Sequence, residues 1–155
     1  MKALAIRIDY PHTRITSLFK QLIGAGLKAV DPQNVLRKNL IRKGTQLQAA
    51  GKTYDLSRFR QIFCVGAGKA AGRMALALEH LLGTHLHGGM VIVQDGYRAP
   101  CKNIRVLEAA HPVPDHRGVQ ATKHIISLVQ SLTSHDLLIV LISGGASSLL
   151  CAPST

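Results

Sequence analysis

Ile15, Leu18, Phe19, Leu22, Ile23, Leu27 and Val30 recur every three or four residues, the spacing of one face of a helix. They predict a helix over 13–30 with its apolar stripe laid against a core. Asp31-Pro32 then reads as a new helix start. The carboxylate can accept from free N–H groups and proline suits the first turn. Val35, Leu36 and Leu40 carry that second helix to about residue 42. From Gly44 the period shortens: Leu47 and Ala49, then Tyr54 and Leu56, flank Gly51-Lys52 as the arms of a short hairpin over 44–57. Four short apolar runs follow at 62–65, 90–93, 104–107 and 137–142, rich in β-branched residues as buried parallel strands are. Helical patterns fill 70–82 and 118–132, a third begins near Ser147, and the second and third strands are joined by a loop.

Alternating strands and helices define an α/β fold: a Rossmann-like, doubly wound, mostly parallel sheet with flanking helices and core strand order 3-2-1-4. The expected organisation is a helical start over 1–43, a hairpin over 44–57 and a βα core over 60–155. With 155 residues there is room for one core. The sequence stops barely a turn or two into the element after the last strand, where a helix should be packing on its sheet. The expectation is therefore an incomplete N-terminal portion of a larger domain, with a C-terminal domain absent.

Composition sharpens this picture. The chain is 46% hydrophobic and 17% charged, which excludes a disordered polypeptide. Nineteen Lys and Arg against eight Asp and Glu give a formal charge of +11, an attraction for anions without a choice among them. Nucleic acid is disfavoured because aromatic residues make up 4% of the chain and Trp is lacking, so stacking platforms are scarce. Cys64, Cys101 and Cys151 form no CxxC pair, which points to a reducing, cytoplasmic setting rather than a disulfide framework or zinc site. No stretch approaches the roughly 20 apolar residues that span a bilayer, so no membrane partner is expected. Lys2, Arg7 and Arg14 leave a mitochondrial presequence open, although Asp9 argues mildly against one. The eight histidines show no metal-ligand spacing, so no bound metal is expected.

Candidate chemistry sits in three loops. Gly66-Ala67-Gly68-Lys69 follows the first core strand and precedes a helix. Glycines there let a ligand approach the backbone, and a helix start favours an anion. The loop departs from a Walker A sequence, with Phe63 at the first glycine position and Ala70 after the lysine. Gly66, Gly68 and Ala71 partly match the dinucleotide fingerprint, with Asp95 after the second strand as the ribose-binding acid. Lys69 has no place in a dinucleotide site but suits charge developing on a transferring phosphoryl group. Ser143, Gly144, Gly145, Ser147 and Ser148 follow the last strand and can wrap anionic oxygens, the serines serving alternatively as helix caps. In the order 3-2-1-4 this loop and the Lys69 loop meet in the crevice between neighbouring strands. In His111-Pro112-Val113-Pro114-Asp115 the prolines stiffen an extended segment; His111 and Asp115 are candidate substrate contacts, with Asp115 able instead to cap the next helix.

Taken in order, VGAGKAAGRMA over 65–75, EAAHPVPDHRG over 108–118 and LISGGASSLLCAP over 141–153 resemble the glycerate 2-kinase family, some of whose members are called hydroxypyruvate reductases. The resemblance implies ATP-dependent phosphorylation of D-glycerate to a phosphoglycerate in a cleft between two domains. ATP would travel with Mg2+, and no cofactor would be tightly bound. Lys69 would contact the substrate or the transferring phosphoryl group, and 143–148 would bind oxyanions. This portion alone would be inactive. Many members read SGGGSAL where this chain has Ser143-Gly144-Gly145-Ala146-Ser147-Ser148-Leu149, and Ala146 closes positive-φ conformations open to glycine. Two other readings remain at this stage: an NAD(P)-dependent hydroxypyruvate reductase, and a non-enzymatic phosphate-binding module.

Overall fold

The structure is a computed structural model and describes residues 13–153. Helix α1 (Thr13–Ala29) forms where the periodicity predicts it. Its stripe is not laid on a core, however. Ile15, Leu18, Phe19, Leu22, Ile23 and Leu27 are between 41% and 60% exposed, because α1 touches little beyond the following helix.

Asp31 starts α2 (Pro32–Asn39) by accepting from the N–H groups of Gln33 (3.0 Å) and Asn34 (3.2 Å). Its other carboxylate oxygen binds Arg73 at 2.7 Å. The helix ends three residues before the sequence pattern suggests. Leu40–Lys43 is strand β1, paired antiparallel with β2 (Gln46–Ala49), which pairs with β3 (Lys52–Asp55). Helical and extended readings both place Leu36 and Leu40 inward. The partner strand that decides between them is non-local information. The expected hairpin is present within this three-stranded sheet, but Leu56 opens a short 3-10 turn capped by Asp55 instead of extending a strand.

The larger sheet has the order β6-β5-β4-β7 and is parallel throughout. Its strands are β4 (Ile62–Ala67), β5 (Gly88–Gln94), β6 (Ile104–Ala109) and β7 (Leu137–Ile142). This is the expected 3-2-1-4 order of the doubly wound α/β class. Helix α3 (Ala71–Leu82) covers one face, joined through Leu36, Leu47 and Leu56 to the small sheet. Helix α4 (His116–Gln130) and the short α5 (Ala146–Leu149) cover the other. At the edge strand β7, Val140 and Ile142 are each 55% exposed.

Two polar contacts lock this arrangement. Asp136, before β7, accepts from the Thr133 N–H and from Arg60, just ahead of β4, so the two strands enter the sheet in register. Glu79 on α3 is nearly buried and accepts from the N–H groups of Lys102 (2.7 Å), Asn103 (2.7 Å) and Ile104 (3.0 Å), fixing the start of β6. Burial alone would raise the pKa of this carboxyl, but the three N–H donors and nearby His80 outweigh it and the pKa is lowered.

Ala50 turns the β2–β3 hairpin at φ 48 beside Gly51 at φ 76, the left-handed pair that Asn-Gly satisfies better. Ala50→Asn should stabilise the fold by about 1 kcal/mol in denaturant unfolding. Glu79→Gln should cost about 1–3 kcal/mol, since its amide group cannot match an ionised acceptor for three N–H groups. With a depressed folded-state pKa, the Glu79 contribution is complete above the unfolded value of about 4.3 and is lost as pH falls through the folded one. The variant should therefore show a shallower loss of stability on the acid limb.

Candidate anion-binding site

The carboxyl ends of β4 and β7 lie side by side, with Ala67 in register with Ile142. Both chains then leave the sheet in turns that bond to each other. The Ser143 N–H donates to the Ala67 carbonyl (3.1 Å) and the Lys69 N–H to the Gly144 carbonyl (2.9 Å). The Ser143 hydroxyl accepts from the Ala70 N–H at 3.0 Å, capping α3 from across the crevice, while Ala70 itself has no side chain to do so. The Gly68 N–H is taken by the Ile92 carbonyl of β5 (3.0 Å). The two glycine loops therefore form one unit, as the strand order predicts.

The glycines have distinct jobs. Gly66 lies inside β4, and a β-carbon there would overlap the Leu141 carbonyl of β7. Its role is strand packing, away from the open edge. Gly68 has φ 125, and a β-carbon on it would overlap Ser143. Gly145 has φ 88, and a β-carbon at that position would lie 2.7 Å from His111 Nε2 and 3.6 Å from Lys69 Cγ. Lys69, His111 and Gly145 thus converge although they come from three different connections. The positive φ belongs to Gly145, and Ala146 is the first residue of α5 with no left-handed geometry to satisfy. The alanine in place of glycine costs nothing here.

The donors left over define what this edge can hold. Among the described residues, the N–H groups of Gly144 and Gly145 have no hydrogen-bond acceptor, whereas those of Lys69 and Ala70 are consumed between the loops. Lys69 is exposed with its ammonium in no ion pair among the described residues. Ser147 is exposed, and Ser148 donates to the Gly145 carbonyl (3.1 Å), holding the turn. Two backbone N–H groups, an ammonium and a free hydroxyl suit an anionic oxygen cluster.

Carboxylates at this edge are already engaged. Asp115 caps α4 through the Gly118 N–H (3.1 Å) and binds Arg117 Nε (2.7 Å). Asp95 is bound by both terminal nitrogens of the same guanidinium, at 2.7 and 2.8 Å. Arg117 holds both carboxyls below their ordinary pKa values, and its own is raised in turn. Asp95, expected as a ribose acceptor, is thus paired, and Asp115 serves the helix. Glu108 accepts from the Gly96 N–H at 2.9 Å. Among the described residues no group of three His, Cys, Asp or Glu could hold a metal ion. The residues present fit an anionic group and do not fit its magnesium. Arg117 was not singled out in the sequence; its only local signal is a position two residues past a capping aspartate. Gln94, ending β5, has a buried side-chain oxygen with no donor among the described residues.

Fold and loops together define a doubly wound α/β protein with a candidate anion-binding crevice between the first and fourth strands of its core. The profile of a family described as a domain of unknown function, DUF4147, matches residues 18–155. The chain is 30% identical over 133 residues to a glycerate 2-kinase from Pyrococcus horikoshii, covering 86% of this chain and 29% of the relative. It is 46% identical over 90 residues to a putative hydroxypyruvate reductase from Agrobacterium vitis, covering 58% of this chain and 23% of that one. A crystal structure of glycerate kinase from Thermotoga maritima superposes with a TM-score of 0.67 at 28% identity, over 89% of this chain and 30% of the other. The chain belongs to this DUF4147 family, the glycerate 2-kinases, and spans less than a third of the length of these relatives.

Gly145→Ala should cost about 1–2 kcal/mol from its left-handed backbone alone. It should also push the His111 ring away, seen as a shift of the His111 ring resonances. Unchanged ring resonances would mean that the loop relaxes elsewhere.

Proposed function

We propose that this chain supplies the substrate wall of a kinase that phosphorylates D-glycerate to a phosphoglycerate at the expense of ATP. The observation that carries the reading is Lys69, an unpaired ammonium at the meeting point of two glycine loops whose outer N–H groups are free. The printed names of the Pyrococcus horikoshii and Thermotoga maritima relatives agree with it, whereas the Agrobacterium vitis relative is named a putative hydroxypyruvate reductase. ATP would supply the phosphoryl group, and the described residues offer no ligand set for an accompanying Mg2+. In this chain, Lys69 stabilises negative charge as it develops on the transferring group, a role for a mobile cation rather than a covalent one. The Gly144 and Gly145 N–H groups and the Ser147 hydroxyl hold anionic oxygens of the substrate. Ser143, Ser148 and Gly68 keep that loop in place, and Gly66 allows the strands beneath it to close. His111 contacts substrate beside Lys69. Asp115 acts through its loop and not by direct contact.

We propose a reducing, cytoplasmic setting for the activity. Cys64, Cys101 and Cys151 are free thiols, and no described helix is long and apolar enough to cross a membrane. Burial pushes the Cys64 thiol up to about 12 and that of Cys101 to about 11, which leaves both unsuited as nucleophiles. The reductase reading is weakened at one of its residues, since Asp95 is bound by Arg117.

The test is ADP release with ATP, magnesium and D-glycerate. It should be run on this chain alone and on the chain completed with the remaining length of the Pyrococcus horikoshii relative. Activity is expected in the completed protein only, and Lys69→Ala should lower its kcat about 10²–10³-fold with unchanged thermal unfolding. NADH oxidation with hydroxypyruvate and silence with glycerate would overturn the kinase reading.

A further inference from the structure

The loop that carries His111 has little to hold it. Pro112, Val113 and Pro114 all point into solvent, with Val113 73% exposed, so apolar burial does not fix the segment. Its anchors are polar and lie at its ends. Asp115 accepts from the Gly118 N–H ahead of it, and the Ala110 N–H behind it is near enough to help hold its pKa down, so the two ends of the loop lie close together. Arg117 then binds Asp115 at 2.7 Å through Nε while its two terminal nitrogens grip Asp95, at the exit of β5, at 2.7 and 2.8 Å. The β5 exit is itself tied to β6 through Gly96 and Glu108.

We propose that Arg117 is a positioning residue: by bridging Asp95 and Asp115 it holds the 110–115 loop against the sheet edge, so that His111 stays beside Gly145 and Lys69. Without the guanidinium, two carboxylates would face each other across the same gap, and their repulsion would open the loop. A fork that serves two acids at once is a task for arginine, because an ammonium group lacks the planar array of donors. All three side chains are partly exposed, at 43% for Arg117, 53% for Asp95 and 25% for Asp115, so the bridge contributes little to global stability. Its effect is local, on the order of a loop that other forces leave free. The anion-binding reading of the site enters only through the ligand arm of the test.

The experiment compares the full chain with Arg117→Ala and Arg117→Lys by NMR and thermal unfolding, with inorganic phosphate as the probe. In Arg117→Ala, amide exchange at Ala110 and Gly118 should rise roughly fivefold. The contact between the His111 ring and Gly145 Hα should weaken or vanish, and phosphate should bind roughly threefold more weakly, all with nearly unchanged Tm. Arg117→Lys should restore part of each effect, since it returns the charge without the fork. In wild type, high salt should speed exchange at the same two amides, because exposed ion pairs are screened. An intact His111–Gly145 contact and unaltered exchange in Arg117→Ala would overturn the proposal. If wild type fails to bind phosphate, the anion reading of the site falls, while the contact and exchange data still decide the role of Arg117.

Discussion

The organisation of this protein depends on how closely the backbones of β4 and β7 approach each other at their carboxyl ends. Neither Gly66 nor Gly68 could carry a side chain, because the space is filled by the main chain of Leu141 and by Ser143. That proximity lets the turn after one strand satisfy the turn after the other, through Lys69 with Gly144, Ser143 with Ala67 and Ala70 with the Ser143 hydroxyl. Buried backbone groups must be paired, and pairing them across the crevice places the remaining N–H groups of Gly144 and Gly145 on the outside. The donor-rich character of the edge is thus what remains once the loops have satisfied one another.

A second consequence is a division of labour among similar-looking residues. The four glycines of the two loops look alike in sequence, but among the described residues 144 and 145 present free N–H groups, whereas 66 and 68 serve packing. The two carboxylates near the edge, Asp95 and Asp115, look like ligands in sequence and act as partners of one arginine. Chemistry at this edge is therefore left to cations, amides and hydroxyls, all of them donors, as the proposed anionic substrate would require.

Much of the fold was legible because its signals are local. The apolar runs of the core strands, the Asp31-Pro32 start and the helices between strands all followed from spacing and capping, and the strand order brought two distant loops together correctly. What sequence did not reveal was decided by neighbours far along the chain. Leu40–Lys43 becomes a strand only because Gln46–Ala49 is there to pair with it. The stripe on α1 has helical spacing whether or not anything covers it, so periodicity identified the helix and misjudged its burial. At the site, Lys69 and the serine loop were visible as motifs. The meeting of His111 with Gly145 depends on the path of the 110–115 loop, which no local pattern encodes.

The use made of acidic residues has a further implication. Asp31, Asp55 and Asp115 cap helical turns, Glu79, Glu108 and Asp136 accept from loop N–H groups, and Asp95 completes the arginine bridge. Every carboxylate among the described side chains is thus employed in shaping the backbone or the loops. Among the described residues most lysines and arginines form no ion pair, so the two signs of charge are under different constraints. Drift at basic positions can proceed with little structural penalty, while an acid is hard to lose. Descendants of this sequence would be expected to vary widely in isoelectric point by exchanging cations, against a nearly fixed set of anions.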